Sequence, residues 1–118
     1  RFQYSDLRLE PREVRQGGRV RVSFRLKNSG QRPGAEVAQL YLNDVVSSVS
    51  TPVMRLRRFA KIRLKPGEER VVEFTLNWED LALLNRHLEW VVEPGEFEVM
   101  IGASSTDLRL RDRFRVIP

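Results

Sequence analysis

The sequence predicts an all-β protein: an immunoglobulin-like antiparallel β-sandwich of seven to eight strands with one short helical turn. Three observations carry that prediction. Apolar and polar residues alternate with the two-residue period of a pleated strand over most of the 118 positions. Turn clusters, among them Asn28-Ser29-Gly30, Pro33-Gly34, Lys65-Pro66-Gly67-Glu68 and Pro94-Gly95, cut these runs at spacings of roughly 8 to 12 residues. Helical character is confined to one short piece, so nothing calls for the crossover helices of a parallel sheet.

Taken in order, Phe2–Glu10 alternates loosely up to Pro11 and reads as an edge strand. Arg19–Asn28 alternates most cleanly, with Val20, Val22, Phe24 and Leu26 inward and Arg19, Arg21, Arg25 and Lys27 outward. Glu36–Asn43 carries apolar residues on both parities: Ala38, Leu40 and Leu42 on one, Val37 and Tyr41 on the other. A half-solvated strand needs only one apolar face, so this strand is expected to be covered twice. Val45–Met54, rich in Ser and Thr and holding Pro52, reads as a crossover whose valines need cover.

Arg55–Lys65 alternates again, with Leu56, Ala60, Ile62 and Leu64 assigned inward and Arg57, Phe59, Lys61 and Arg63 outward. Arg58 falls on the inward parity, which predicts a bulge or twist there. After the Pro66-Gly67 turn, Val72, Phe74 and Leu76 face inward. Asn77 can cap a helical piece running to about Asn85, with Glu79 and Asp80 suited to its start. His87–Val92, Glu96–Ala103 and Leu108–Val116 complete the strands. Phe24, Phe74, Trp90, Phe97 and Phe114 are the expected core aromatics, each stabilising by roughly 1.5–3 kcal/mol through burial.

A chain of this length is most economically one domain, able to bury a core without staples. Starting abruptly at RFQYSDL, already in strand-like alternation, it reads as a domain excised from something longer. Cysteine is absent, which excludes disulfides and thiolate chemistry but leaves periplasmic, secreted and cytoplasmic settings all open. No run reaches the length of a membrane span, so no membrane partner is expected. The net charge of +5 comes from 21 basic and 16 acidic residues, and the basic ones are overwhelmingly arginine.

Catalysis needs converging groups, and the sequence offers few. His87 is the only histidine and reads as a surface or capping residue. Glu68/Glu69 and Glu79/Asp80 are adjacent carboxylates at a turn and a helix start, where acids are expected anyway. There is no nucleophile-elbow, phosphate-loop, zinc or EF-hand pattern. No catalytic, cofactor-binding or metal-ligating residue is therefore assigned. Arginine rows remain: Arg19, Arg21 and Arg25 on one strand, Arg57, Lys61 and Arg63 on another, Arg109, Arg111 and Arg113 on the last. Adjoining, they would form a basic surface able to track a polyanion. Only Phe59 interleaves with them, too little aromatic surface for base stacking, so nucleic acid is disfavoured.

An ordered series of short motifs carries a resemblance. It runs through Tyr4-Ser5-Asp6-Leu7, Val37-Ala38-Gln39-Leu40-Tyr41-Leu42, Pro52-Val53, Leu56 with Phe59, and Leu64-Lys65-Pro66-Gly67-Glu68. It ends in Glu93-Pro94-Gly95-Glu96-Phe97 and Ile101-Gly102-Ala103-Ser104-Ser105. Together these closely resemble the C-terminal fibronectin type III-like domain of glycoside hydrolase family 3, the β-glucosidases and β-xylosidases. The resemblance implies an accessory domain that follows the catalytic domains and supports their stability or oligomerisation. The family's nucleophile and acid/base residue lie in those preceding domains, so none maps here. Two departures stand out: Arg58 where the family has glycine, and Phe97 where it often has a corner tyrosine. On this reading Val37, Tyr41, Val45, Val46, Val49, Pro52, Val53 and Phe59 are the expected interdomain contacts, with the catalytic domains of the parent glycosidase, or a second copy, as partner.

Overall fold

The computed structural model describes residues 1–45 and 54–118. Two sheets face each other. One is three-stranded, with β1 (Phe2–Glu10) and β6 (Glu69–Leu76) flanking β3 (Val20–Asn28). The other runs in the order β2 (Glu13–Val14), β10 (Asp107–Val116), β9 (Gly95–Ser104), β4 (Gly34–Asp44), β5 (Arg55–Leu64). All ladders in the two sheets are antiparallel except β2 on β10, a two-residue parallel pairing that the alternation pattern does not disclose. The chain passes between sheets from β3 to β4 and returns from β5 to β6. It then crosses again to β9 through a 3₁₀ turn (Trp78–Leu81) and a small hairpin of β7 (Leu83–Leu84) and β8 (Trp90–Val91).

The period-two pattern explains the core. On β3, Val20, Val22, Phe24 and Leu26 are fully buried while Arg21, Arg25 and Lys27 face water. Ala38, Leu40 and Leu42 of β4 and Phe97, Val99 and Ile101 of β9 meet them from the opposite sheet. The Phe97 and Phe114 rings stack with centroids 5.4 Å apart and planes 8° apart. Such a pair stabilises by about 0.5–1.5 kcal/mol beyond its burial, so the phenyl ring at this corner keeps its packing without a hydroxyl.

Among the described residues one polar side chain is buried at the edge of this core. Asn28 closes β3, and its Nδ2 donates to the carbonyls of Arg32 and Leu64 at 2.8 and 3.0 Å. Its Oδ1 accepts from Gly30 N–H at 2.9 Å. Read as a turn residue from sequence, Asn28 is also the tie between the β3–β4 turn and the far end of β5.

The structure corrects several expectations. Trp90 is 68% exposed, not core, because β8 pairs only with β7 and joins neither sheet. The ladder there is Trp90–Val91 alone, shorter than His87–Val92, and Val92 packs on the core in its place. The helical piece stops at Leu81 rather than near Asn85. Leu56 is exposed, not inward. The register explains why: Gln39 pairs with Phe59 and Leu40 with Arg58, but Tyr41 pairs with Leu56, so Arg57 is an inserted residue. A one-residue bulge flips every position before it to the other face. The irregularity expected at Arg58 thus falls one residue earlier.

Candidate docking surface

Strand β5 is the open edge of the larger sheet, and its outer face collects the apolar residues that the core does not use. Phe59 is 67% exposed, with Leu56 beyond the bulge and Val37 on the neighbouring β4 also open to solvent. Tyr41 behaves differently. It is only 9% exposed, lies opposite Met100 of β9 in register, and stands outside the core cluster. Its hydroxyl bonds to Gln39 Oε1. Tyr41 is therefore already covered, while Val37 and Phe59 present open surface. Val45 is half-buried and its N–H donates to the Glu96 carbonyl at 3.1 Å. Val46, Val49, Pro52 and Val53 lie outside the described residues.

At the start of β5 the bulge places Arg57 and Arg58 side by side with different fates. Arg58 forms a two-pronged pair with Asp80, Nη1 to Oδ1 at 3.1 Å and Nη2 to Oδ2. Asp80 holds that position because its carboxylate also accepts the Asn77 N–H at 2.7 Å, closing the 3₁₀ turn. The arginine at 58 is thus clamped to that turn. Arg55 Nη1 reaches the Ala82 carbonyl at 3.4 Å. Arg57 Nε is enclosed and makes no hydrogen bond. Burial pushes the Arg57 guanidinium below its ordinary pKa, and the charges of Arg55 and Arg58 push the same way, while Asp80 opposes them.

Arg55 and Arg57 border a groove of about 580 Å³ lined also by Trp78, Glu79, Ala82, Trp90 and Val92. Trp78 packs its inner side on the core, whereas Trp90 stands open. Beyond Trp90 the hairpin loop is shaped by Asn85, whose Oδ1 accepts the N–H groups of His87 and Glu89 at 2.8 and 3.0 Å. Leu88 within that loop has φ +60° and is 78% exposed. His87 is exposed in the same turn, in keeping with the surface role its solitude implied. Neither Trp78, Trp90 nor Leu88 was assigned to a site from sequence. The available signal was a tryptophan followed by acids and a second tryptophan twelve positions on, which periodicity assigns to core.

The arginine rows do not merge. Arg19, Arg21 and Arg25 belong to the three-stranded sheet or its approach, while β10 and β5 are separated in the other sheet by β9 and β4. Four of the nine row members are also paired. Arg25 meets Asp6 at 3.0 Å, Arg109 meets Asp107 at 2.7 Å, Arg113 meets Glu96 at 2.9 Å, and Arg111 lies 4.0 Å from Glu98. Arg109 also lies over the Tyr4 ring at 5.2 Å. No group of three or more acidic or histidine side chains able to hold a metal is present among the described residues.

Three strands on five, with crossings at β1–β2, β2–β3, β3–β4, β5–β6 and β6–β9, define an immunoglobulin-like sandwich whose open features are apolar and cationic. The chain belongs to the fibronectin type III-like domain family, which matches residues 36–105. It is 42% identical over 117 residues to thermostable beta-glucosidase B of Acetivibrio thermocellus, covering 98% of this chain and 16% of that enzyme. It is 41% identical to the periplasmic beta-glucosidase of Salmonella typhimurium, covering 92% and 14%. Among solved structures, beta-glucosidase 3B of Thermotoga neapolitana superposes with a TM-score of 0.87 at 40% identity, covering 98% of this chain and 16% of that one. A Listeria innocua beta-glucosidase superposes with a TM-score of 0.87 at 37% identity, covering 100% and 16%. The chain thus spans about one-sixth of the length of these relatives.

Proposed function

We propose that the chain is a non-catalytic accessory domain, a single unit over residues 1–118 of a larger family 3 β-glycosidase. In this reading it packs on the catalytic domains and supports their stability or assembly. The observation that carries the reading is the open apolar flank, Phe59, Leu56 and Val37 on the outer face of β5 and β4. A monomeric sandwich has no use for a 67% exposed phenylalanine beside two exposed aliphatic side chains on a sheet edge. The matched relatives are some six times longer, which leaves room for a surface that such a flank could meet. Engagement of Arg25, Arg109, Arg111 and Arg113 by carboxylates leaves polyanion binding with less support.

Light scattering of the 118-residue chain across concentration and salt tests this. Self-association that persists at high salt and disappears with Phe59→Asp is the expected outcome. In the full-length protein the same substitution lowers the melting temperature of the catalytic part. A chain that stays monomeric at all concentrations, with Phe59→Asp silent in the full-length protein, would overturn the reading. The chain alone is expected to leave aryl β-glycosides intact.

A further inference from the structure

We propose that the groove at the start of β5 is the receptor for one acidic side chain, Asp or Glu, carried on a loop of the catalytic part of the parent chain. Its carboxylate would sit on Arg57 and its methylene carbons between Trp78 and Trp90. The proposal rests on the accessory-domain reading and deepens it by naming the chemistry of the contact.

Three observations converge. Two arginines, Arg55 and Arg57, line the groove together with Glu79, and the neighbouring Arg58 is held by Asp80 through both oxygens. Arg57 is left with an enclosed Nε–H and no acceptor, although guanidinium donors out of water ordinarily have one. A carboxylate is the complementary group: planar, singly charged, and able to take two N–H donors from the open, Nη edge of the guanidinium together. The walls then narrow the choice of anion. Indole faces and the Ala82 and Val92 side chains suit a carboxylate delivered on an aliphatic stem, and not a strongly hydrated phosphate.

The third observation is the strain beside the groove. Leu88 holds a left-handed backbone that leucine rarely adopts, and the result is a leucine almost wholly in water. Spending strain to expose an apolar side chain makes sense where a second surface covers it. Trp90 and Leu88 would then rim the contact and exclude water from the ion pair, as the surrounding contacts of an interface hot spot do.

The chain has lysine only at positions 27, 61 and 65, so a new amine in the groove is chemically distinct. Arg57→Lys in the full-length protein, treated with a zero-length carbodiimide coupler, is expected to form an amide with an Asp or Glu outside these 118 residues. Coupling only to Glu79 or Asp80, or no coupling, overturns the proposal. Thermal unfolding of the same protein separates the two readings. One joint transition without coupling removes only the acidic contact, whereas independent melting of this domain removes the packing reading as well. A second variant is independent of coupling chemistry. Arg57→Met is expected to leave the melting temperature of the 118-residue chain unchanged or higher, and to lower that of the full-length protein by several degrees. Equal loss in both would show that Arg57 serves only its own domain.

Discussion

Strands β5 and β10 are both arginine-rich, yet they present opposite solutions to the same charge. On β10 every second residue from Arg109 to Arg115 finds a carboxylate, in Asp107 or in Glu98 and Glu96 of β9. On β5, among the described residues, Arg58 is the one shown to do so, and its neighbour Arg57 has a donor enclosed and unanswered. The difference follows from partners. β10 lies between β9 and the short β2, and β9 offers outward glutamates in register. β5 has β4 on one side only, and β4 presents Val37, Gln39 and Tyr41 opposite it. One edge is answered within the described residues, and the other is the edge for which an outside surface is proposed.

The β9–β10 side should therefore be broken from within. A Cβ on Gly102 would lie 2.1 Å from the Asp107 carbonyl oxygen and 2.8 Å from Leu108 Cα, backbone atoms that cannot step aside. Gly102→Ala is expected to cost roughly 3 kcal/mol or more, since overpacking against backbone is relieved only by moving the strand. Chemical denaturation measures it, and a loss below about 1 kcal/mol would mean that the β9–β10 connection is pliable. On the β5 side the largest internal effect belongs to Asp80→Ala. It removes both prongs on Arg58 and the acceptor for Asn77 N–H, an expected cost of about 2 kcal/mol. It also leaves the Arg58 guanidinium unanswered beside the groove, so added carboxylate salts should recover more stability in this variant than in the parent sequence.

The same contrast shows how much of the molecule is legible from sequence. β3 and the inner face of β9 are read correctly because a strand paired on both sides has only the period-two solution, whereas Met100, on the outward parity of β9, is buried beside Tyr41. β5 obeys the same rule up to Arg58, where one inserted residue reverses the parity and turns Leu56 outward. The sequence marks the place, since Arg58 cannot sit in an apolar core, but does not say which side of it the bulge falls. Trp90 fails for another reason. Its flanking alternation is that of a strand, and nothing local states that the strand pairs with a two-residue hairpin instead of a sheet. The docking residues divide likewise: Val37 and Phe59 are legible as apolar residues on the wrong parity, whereas the groove depends on three separate segments meeting. Alternation says nothing of such a meeting.

A smaller effect tests whether the hairpin is built for itself or for a partner. Asn adopts left-handed backbone far more readily than Leu. Leu88→Asn should therefore raise the stability of the 118-residue chain by about 0.5 kcal/mol, part of the strain such residues store. If Leu88 meets a second surface, the same change lowers the stability of the full-length protein. Opposite signs in the two contexts would sharpen the contrast between the edges. A gain in both would place Leu88 outside any contact.

The smallest expected effect is that of acid on the completed edge. Arg109 holds the Asp107 carboxyl below its ordinary value, Arg113 and Arg115 do the same for Glu96, and Arg12 for Asp112. A carboxylate depressed in the folded state stabilises it above the unfolded value and loses that contribution as pH falls through the folded value. Stability from this edge should thus be flat through neutral pH and decline only below the ordinary carboxylate range near 3.8 to 4.5. These pairs are solvent-exposed, so the decline is shallow and high salt should flatten it further. Amide hydrogen exchange compared at neutral and acid pH, corrected for intrinsic rates, should show protection falling along β10 before it falls in β3, whose alternation owes nothing to charge. Uniform loss across both sheets would mean that the arginine ladder on β10 is ornament on a fold held by its apolar core.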